Sequence, residues 1–314
     1  MWQPAKKVVK NLPYLKQLFR ERDQLRSQLG FPPGHFHSPI PSVSEIKRKE
    51  AQIFDSAPRT IPTVDLNEDR QLALFQKFKI HYNEQPFGPE KKEGLRYYFE
   101  NEFYPYADAI ILYCMLREIK PKRIIEVGSG FSSGLMLDTN HLFFNDAISF
   151  TFIEPFPERL LSLLTEEDKS RIEIKRENLQ EVNLSLFDEL AEGDMLIVDS
   201  SHVAKTASDV NQIFFEVLPR LKDGVYIHFH DVMYPFEYPR EWVYKGWAWN
   251  EAYILRAFLQ YNSVFRIQFF YHYFERFHRN ELAEHLPLCL KSGGASIWIA
   301  KCSDGRSNAV FKSS

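Results

Sequence analysis

Two short stretches of the chain carry side chains that could activate an acceptor molecule or hold a metal ion. They are "DSSH" (residues 199–202) and "HFHD" (residues 228–231), and each follows a run of apolar residues typical of a buried strand. Carboxylates and imidazoles bind divalent cations, and an imidazole can also remove a proton because its pKa lies near neutrality. The residue types at these strand ends are therefore compatible with metal binding and with proton removal.

The ends of neighbouring parallel strands face one crevice, which is where ligands bind in open α/β sheets. Strand alternation puts His228 and His230 on the same face of their strand, but only residues nearest the strand end can reach the crevice. We therefore predict that His228 is a buried scaffold residue. The predicted catalytic residues are Asp199, His202, His230 and Asp231.

Three roles are open for these catalytic candidates. In the first, Asp199, His230 and Asp231 bind a divalent cation that grips the acceptor oxygens and lowers the pKa of a hydroxyl. An imidazole ligand shifts the preference from Mg²⁺ toward Mn²⁺, Fe²⁺ or Zn²⁺. In the second, His202 or His230 is a metal-free general base oriented by Asp199 or Asp231. In the third, the polar strand ends are structural only.

A loop with two glycines must position a ligand beside these residues. In "IIEVGSGFSSG" (residues 124–134), Gly128 and Gly130 permit a tight turn and a close approach of a ligand to the backbone. The helix that follows directs free N–H groups at the same point, so the loop suits a nucleoside-bearing cofactor. A dinucleotide-binding loop would carry glycine where Ser133 stands, which argues against a pyrophosphate site. Glu126, two residues before the loop, could hold a cationic amine.

An acid followed by alternating glycines, here "EVGSGFS", resembles the first motif of the class I S-adenosylmethionine-dependent methyltransferases, with Ser132 in place of the third glycine. The resemblance extends over about residues 100–302. It implies S-adenosylmethionine as the cofactor, with Glu154 receiving the ribose hydroxyls and Leu179 and Gln180 beside the adenine. The predicted cofactor-binding residues are Glu126, Gly128, Ser129, Gly130, Ser132, Ser133, Glu154, Leu179 and Gln180.

The strand ends are similar to those of metal-dependent O-methyltransferases, which place an acid after the fourth strand and two adjacent ligands after the fifth. His230 departs from that pattern, because oxygen ligands are usual there. Because a metal ion and a histidine base both serve to make an alkoxide-like nucleophile, we expect methylation of an oxygen, with a nitrogen acceptor as the open alternative. The aromatic and charged side chains of residues 234–249 suit a small polyol, glycan-type or phenolic acceptor. The sequence keeps two alternatives open, namely a nicotinamide-dependent oxidoreductase and a non-catalytic methyltransferase-like binding domain.

The rhythm of helices and strands predicts the domain organisation. Residues 1–95 are predicted to form a helical extension with a proline-rich connector, and a basic amphipathic helix within residues 1–30 could pack on the body, on a second subunit or on a membrane surface. Residues 96–305 alternate helices and strands, which predicts a doubly wound, mostly parallel sheet of seven strands. Its insertions, residues 232–249 and 271–294, are rich in aromatic residues that could line an acceptor pocket or form a lid or subunit interface.

Composition narrows the classes of partner and compartment. The chain has 314 residues and a net charge of −3, so no global basic field draws it to nucleic acid, and small molecules are the expected partners. Three widely spaced cysteines without a CxxC pair favour a reducing, cytoplasmic setting. No apolar run is long enough to cross a bilayer. Homo-oligomerisation remains open.

Overall fold

The computed structural model describes residues 13–28, 30–55 and 57–302. The strands are β1 (Arg123–Val127), β2 (Ser149–Ile153), β3 (Glu173–Lys175), β4 (Met195–Val198), β5 (Tyr226–Phe229), β6 (Phe265–Phe270) and β7 (Ile297–Lys301). The helices in chain order are α1 (Pro13–Gln28), α2 (Val43–Arg48), α3 (Glu50–Phe54), α4 (Glu68–Tyr82), α5 (Tyr106–Ile119), α6 (Phe131–Phe144), α7 (Glu158–Leu163), α8 (Glu166–Arg171), α9 (Asp209–Gln212), α10 (Leu218–Arg220), α11 (Arg240–Tyr244), α12 (Glu251–Leu259), α13 (Tyr271–Phe277) and α14 (Arg279–His285). A π-helical turn, Ile213–Val217, joins α9 to α10, and 3-10 turns lie at Leu179–Glu181, Leu184–Glu189 and Pro287–Lys291.

The seven strands form one sheet in the order β3-β2-β1-β4-β5-β7-β6. All neighbours are parallel except β7, which runs antiparallel to both β5 and β6. The inner strands are almost entirely buried and consist mainly of apolar residues, as expected of a parallel sheet that is covered on both faces. The predicted fold class, a doubly wound and mostly parallel sheet of seven strands, is confirmed.

The chain order places the crevice between two central strands. β1 pairs with β2 on one side and with β4 on the other, so the chain reverses its winding direction at β1 and β4. Ligands in such sheets bind at this switch point, outside the carboxyl ends of the strands. On one face of the sheet α5 is buried almost throughout, and α4 and α6 pack against it.

The described residues form two compact units. The larger unit comprises Ala57–Tyr238 and Trp249–Ser314, and the smaller comprises Met1–Ser56 and Pro239–Ala248, in each case for the residues that the structure describes. Within the smaller unit Arg240 donates to Glu50 and Asp55, which ties the returning segment to α3. The predicted basic helix is observed as α1, while residues 1–12 lie outside the described residues.

One predicted helix begins later than its sequence pattern indicates. The pattern predicts a helix over residues 204–218, but α9 starts at Asp209, where the side chain of Ser208 accepts the N–H of Asn211. The preceding backbone is held by Asn250, whose side chain accepts from the N–H of Ala204 at 2.6 Å and donates to its carbonyl at 3.2 Å. A tertiary contact therefore removes the first turn of this helix.

Candidate functional site

The glycine loop brings the carboxyl ends of β1 and β4 into direct contact. Gly128 has a φ of +81°, and a Cβ atom at this position would lie 1.7 Å from the carbonyl oxygen of Asp199. Its N–H donates to Ile153 at the end of β2, and the N–H of Asp199 donates to Val127. Only glycine satisfies both the left-handed backbone and the close approach, so the loop fixes three strand ends around one point.

Glu126 lies beneath this loop and shapes it. The side chain is fully buried, and it accepts hydrogen bonds from Ser132 at 2.6 Å and from Ser133. Ser133 in turn accepts the N–H of Gly130 at 3.0 Å. Burial raises the pKa of Glu126 to about 8, although the two serine hydroxyls oppose the shift. Glu126 is thus part of the scaffold of the loop, and its predicted contact with a cofactor amine stays a prediction.

A cavity of about 360 Å³ opens beside the loop. Four predicted cofactor-binding residues line it, namely Gly128, Glu154, Leu179 and Gln180. The carboxylate of Glu154 is held in place by the N–H groups of Ser129 at 3.0 Å and Phe156 at 2.8 Å. The other predicted cofactor-binding residues do not line the cavity and lie in or under the glycine loop: Glu126, Ser129, Gly130, Ser132 and Ser133.

Asp199, His230 and Asp231 converge at the ends of β4 and β5. Each offers one ligand atom, and these atoms all lie within 4.8 Å of one another. His230 follows β5 directly, and its N–H donates to Val198 of β4 at 2.9 Å. Asp231 has a φ of +56°, which interrupts strand alternation so that two adjacent side chains can face one point. Asp199 also lines the cavity, so the cluster and the cavity adjoin.

The donor set of this cluster fits a divalent cation. Two carboxylates and one imidazole are ligands of Mn²⁺, Fe²⁺ and Zn²⁺. His230 is buried, and its Nδ1 has no hydrogen-bond partner among the residues described. The other ring nitrogen, Nε2, lies 3.6 Å from a carboxylate oxygen of Asp231, so this is the ring atom that faces the carboxylates and could bind a cation with them.

His202 lies behind the cluster with carboxylates at both ring nitrogens. Nδ1 is 2.9 Å from an oxygen of Glu251, and Nε2 is 3.4 Å from Asp199 and 3.5 Å from Asp231. Burial lowers the pKa of His202, but the hydrogen bonds to Asp199 and Glu251 outweigh it and raise the pKa to about 10. The ring of Trp249 packs on this imidazole at a centroid distance of 4.4 Å.

The same contacts shift the other ionisable groups of the cluster. Burial acts to raise the pKa of Asp199, but His230 and His202 outweigh it and hold the pKa at about 2. Burial acts to lower the pKa of His230, but Asp231, Asp199 and Asp108 outweigh it and raise the pKa. Burial raises the pKa of Asp231. Buried imidazoles and partly exposed carboxylates therefore stabilise each other's charged forms in this cluster.

Three residues of this region were not among the predicted catalytic residues. Glu251 starts α12, Asp108 lies in α5, and Tyr104 precedes α5 with its ring 5.0 Å from that of His230. Each reaches the site only through the tertiary fold. A glutamate at the first turn of a helix is common, so the sequence around Glu251 carries no signal of its contact with His202.

His228 has the core position that the sequence predicts. It is 1% exposed, lies next to Trp298 of β7, and burial holds its pKa well below the usual value, so the ring is neutral. It does not belong to the cluster of ligand atoms.

The first aromatic insertion is divided between the two units. Tyr234, Phe236 and Tyr238 are buried in the core of the larger unit, residues 239–248 belong to the smaller unit, and Trp249 contacts His202. The second insertion contains α13, α14 and a 3-10 turn, and most of its aromatic rings are buried. The insertions therefore contribute core packing, and of the first one Trp249 reaches the catalytic candidates.

Comparison with known proteins identifies sequence relatives. A family model described as "Methyltransferase domain" matches residues 125–232, which span β1 to the end of β5 and include the loop and both strand ends. An uncharacterized protein of Archaeoglobus fulgidus is 35% identical over 167 residues, which cover 52% of this chain and 74% of that protein.

Solved structures give weaker likenesses. The O-methyltransferase TomG from Streptomyces achromogenes, involved in tomaymycin synthesis and in complex with S-adenosylmethionine, is 15% identical, with a TM-score of 0.42 and coverage of 73% of this chain and 89% of that chain. The S-adenosylhomocysteine-bound Podospora anserina methyltransferase PaMTH1 is 14% identical, with a TM-score of 0.37 and coverage of 76% and 93%.

Proposed function

This chain belongs to the class I S-adenosylmethionine-dependent methyltransferases, and on that premise we propose that it methylates an oxygen atom of a small hydroxylated acceptor. The observation that carries the proposal is the position of Asp199, which belongs both to the cavity beside the glycine loop and to the cluster of ligand atoms. Methyl transfer needs the donor and the acceptor side by side and in line. A cofactor cavity that adjoins an acceptor-activating cluster supplies that arrangement.

In the proposed cofactor site, Glu154 binds the ribose hydroxyls, because a carboxylate held by two backbone N–H groups still has lone pairs for both of them. Leu179 and Gln180 lie against the adenine, and Gly128 lets the cofactor approach the backbone. Glu126, Ser129, Gly130, Ser132 and Ser133 hold the loop in shape. S-adenosylmethionine supplies an activated methyl group, so the protein needs to align the reactants, exclude water and help remove the acceptor proton.

In the proposed acceptor site, Asp199, His230 and Asp231 would hold a divalent cation. Such a cation would lower the pKa of an acceptor hydroxyl and orient it. The imidazole among the ligands favours Mn²⁺, Fe²⁺ or Zn²⁺ over Mg²⁺. His230 is buried, whereas the side chains of Asp199 and Asp231 are 34% and 20% exposed, so the two carboxylates remain open to an acceptor. We propose polyol, glycan-type or phenolic acceptors, because each offers a hydroxyl that needs this activation.

A metal-free mechanism is the second candidate, with His202 or His230 as general base. The hydrogen bond of 2.9 Å between His202 and Glu251 favours it, since a catalytic base is commonly oriented by a third group. The position of Nε2 argues against His202 as that base, because this atom already faces two carboxylates. Family membership sets aside the nicotinamide-dependent oxidoreductase that the sequence left open.

In the part of the chain that the structure describes, no helix is long and apolar enough to cross a membrane. A cytoplasmic location, the absence of a nucleic-acid partner and homo-oligomerisation stay predictions from the sequence.

Two substitutions test the acceptor site. The assay incubates each protein with S-adenosylmethionine labelled in its methyl group and a panel of polyols, glycans and phenols. It compares the wild type with Asp199→Asn and His230→Ala, and the control is His141→Ala, which changes an exposed histidine on α6. We expect Asp199→Asn and His230→Ala to reduce methyl transfer at least about 100-fold and to leave S-adenosylhomocysteine affinity within about threefold. His230 does not line the cofactor cavity, and asparagine keeps the shape of Asp199, which does.

Chelation separates the two mechanisms in the same assay. Loss of transfer on chelation and its recovery with Mn²⁺ are expected from the cation mechanism. Full transfer after chelation would contradict it and leave the histidine base. A loss of S-adenosylhomocysteine binding in Asp199→Asn or His230→Ala would show that their roles are misassigned.

A further inference from the structure

The side chain of Glu251 is buried, and its hydrogen bond goes to the imidazole of His202. The side chain is 1% exposed; one oxygen lies 2.9 Å from Nδ1 of His202, and the other has no hydrogen-bond partner among the residues described. A buried carboxylate is costly unless a partner compensates it. Burial of Glu251 therefore costs folding free energy, and the partner that compensates part of it is the imidazole of His202, beside the proposed acceptor site.

The start of α12 holds His202 from several directions. The carbonyl oxygen of His202 accepts the N–H of Asn250 at 3.0 Å and that of Glu251 at 3.2 Å. The ring of Trp249 packs on the imidazole. His202 itself has a φ of +58°, a conformation that a non-glycine residue adopts only where its surroundings determine it. Backbone, ring face and Nδ1 are all engaged by residues 249–251.

Because the imidazole is rigid, a fixed Nδ1 also fixes the direction of Nε2. Nε2 lies 3.4 Å from Asp199 and 3.5 Å from Asp231, on the side opposite Glu251. Nε2 is therefore within ion-pair distance of both carboxylates. In metal and catalytic sites, such outer hydrogen bonds orient the groups that contact the ligand.

We infer that Glu251 is a positioning residue, which acts through His202 to hold the carboxylates of Asp199 and Asp231 in the geometry that activates the acceptor. The role of those two carboxylates rests on the proposed function, whereas the orientation of the His202 ring by Glu251 does not. The inference assigns the start of α12, which the family model does not cover, to the active site.

The competing explanation is that Glu251 only stabilises α12. A carboxylate in the first turn of a helix interacts favourably with the helix dipole, and this role would not affect His202. Two variants distinguish the explanations. Glu251→Gln keeps an acceptor for Nδ1–H, and Glu251→Leu removes it at similar volume. The control Gln71→Leu removes a buried side chain that bonds Leu66 and Phe270 instead.

The first readout is the imidazole NMR spectrum, with His202 assigned by the loss of its signals in His202→Gln. We expect a slowly exchanging, hydrogen-bonded Nδ1–H proton in the wild type, in Glu251→Gln and in Gln71→Leu, and its loss in Glu251→Leu. The same proton in Glu251→Leu as in the wild type, or none in the wild type, would overturn the inference.

The second readout is calorimetric titration with Mn²⁺ alone. Loss of an outer-shell partner weakens metal binding by about 10- to 100-fold, so we expect that decrease in Glu251→Leu and a change within about threefold in Glu251→Gln and Gln71→Leu. Equal Mn²⁺ affinity in Glu251→Leu and the wild type would overturn the inference. If the wild type binds S-adenosylhomocysteine but no Mn²⁺, the cation mechanism fails, and if it binds neither, the proposed function fails. In both cases the NMR result alone decides for or against the orientation of His202 by Glu251.

Discussion

At the scale of single residues, Gly128 is the position at which cofactor loop and acceptor site meet. A side chain there would collide with the carbonyl oxygen of Asp199, and the φ of +81° adds backbone strain. We expect Gly128→Ala to push the ends of β1 and β4 apart, to destabilise the fold and to weaken S-adenosylhomocysteine binding at least about tenfold. Denaturant unfolding and calorimetry measure the two effects.

Gly193→Ala is the matched control for that substitution. Gly193 has a φ of +85°, but a Cβ atom there would meet nothing within 4 Å. Gly193→Ala should lower the free energy of unfolding by only about 1–2 kcal/mol, because alanine must adopt a left-handed conformation there, and it should leave cofactor binding unchanged. Equal effects of the two substitutions would mean that contact with Asp199 has no part in the loop.

Glu126 predicts a pH dependence of stability. Burial raises its pKa to about 8 in the folded state, above the value of 4.5 expected for an exposed glutamate, so the folded protein keeps a proton that the unfolded chain loses. The contribution of this proton to the free energy of unfolding is complete below about pH 4.5 and is lost as the pH rises toward 8. Over this range the free energy of unfolding falls by at most about 1.4 kcal/mol per pH unit.

Glu126→Gln removes this titration and keeps a hydrogen-bonding group under the loop. We expect the free energy of unfolding of the wild type to fall more steeply between pH 5 and 8 than that of Glu126→Gln. Parallel pH profiles from denaturant unfolding would contradict a neutral, buried Glu126.

The residue scale also shows what a sequence can predict of a site. Asp199, His230 and Asp231 could be grouped because each ends a strand, and the ends of parallel strands converge. Glu251 could not be grouped with them from the sequence, because His202 lies 49 residues away along the chain and the contact depends on where α12 begins.

At the scale of elements, one partly buried arginine connects the segment before α5 to two helices. Arg96 donates to Asp138 of α6 at 2.7 Å and to Asp168 of α8 at 2.9 Å, and its side chain is 13% exposed. Asp138 also accepts the N–H groups of Arg96 and Tyr97. The network fixes α6, whose first turn carries the serines that bond Glu126.

Arg96→Met should therefore destabilise the protein by about 3 kcal/mol, because it leaves two carboxylates without their cation. Arg171→Met breaks ion pairs of a side chain that is 49% exposed, and it should cost no more than about 1 kcal/mol. Denaturant unfolding measures both. A cost for Arg96→Met no larger than that for Arg171→Met would contradict the structural role of the network.

Most strands were predictable because they are short, mainly apolar runs bounded by turn residues, and β3 because Ile172 and Ile174 alternate with charged residues. The segment at residues 204–208 was not, because the side chain of Asn250 holds Ala204 out of the helix that local propensity favours. Elements whose start is set by tertiary contacts are those that the pattern misplaces.

At the scale of the whole molecule, residues 96–305 were predicted as one domain and residues 1–95 as an extension. The compact units divide the chain elsewhere: α4 packs against α5 and β6 within the larger unit, and residues 239–248 belong to the smaller one. A sequence pattern indicates local structure but does not indicate which distant segments share a core. The predicted domain boundaries stay predictions.

The central claim is that S-adenosylmethionine binds in the cavity beside Glu154, and calorimetry tests this binding most directly. Wild type and Glu154→Ala are titrated with S-adenosylhomocysteine and with NAD. We predict that one S-adenosylhomocysteine binds per chain, that Glu154→Ala binds it about 10- to 100-fold more weakly because it loses charge-assisted hydrogen bonds, and that NAD gives no heat. Binding of NAD without S-adenosylhomocysteine, or equal affinity in Glu154→Ala, would contradict the account.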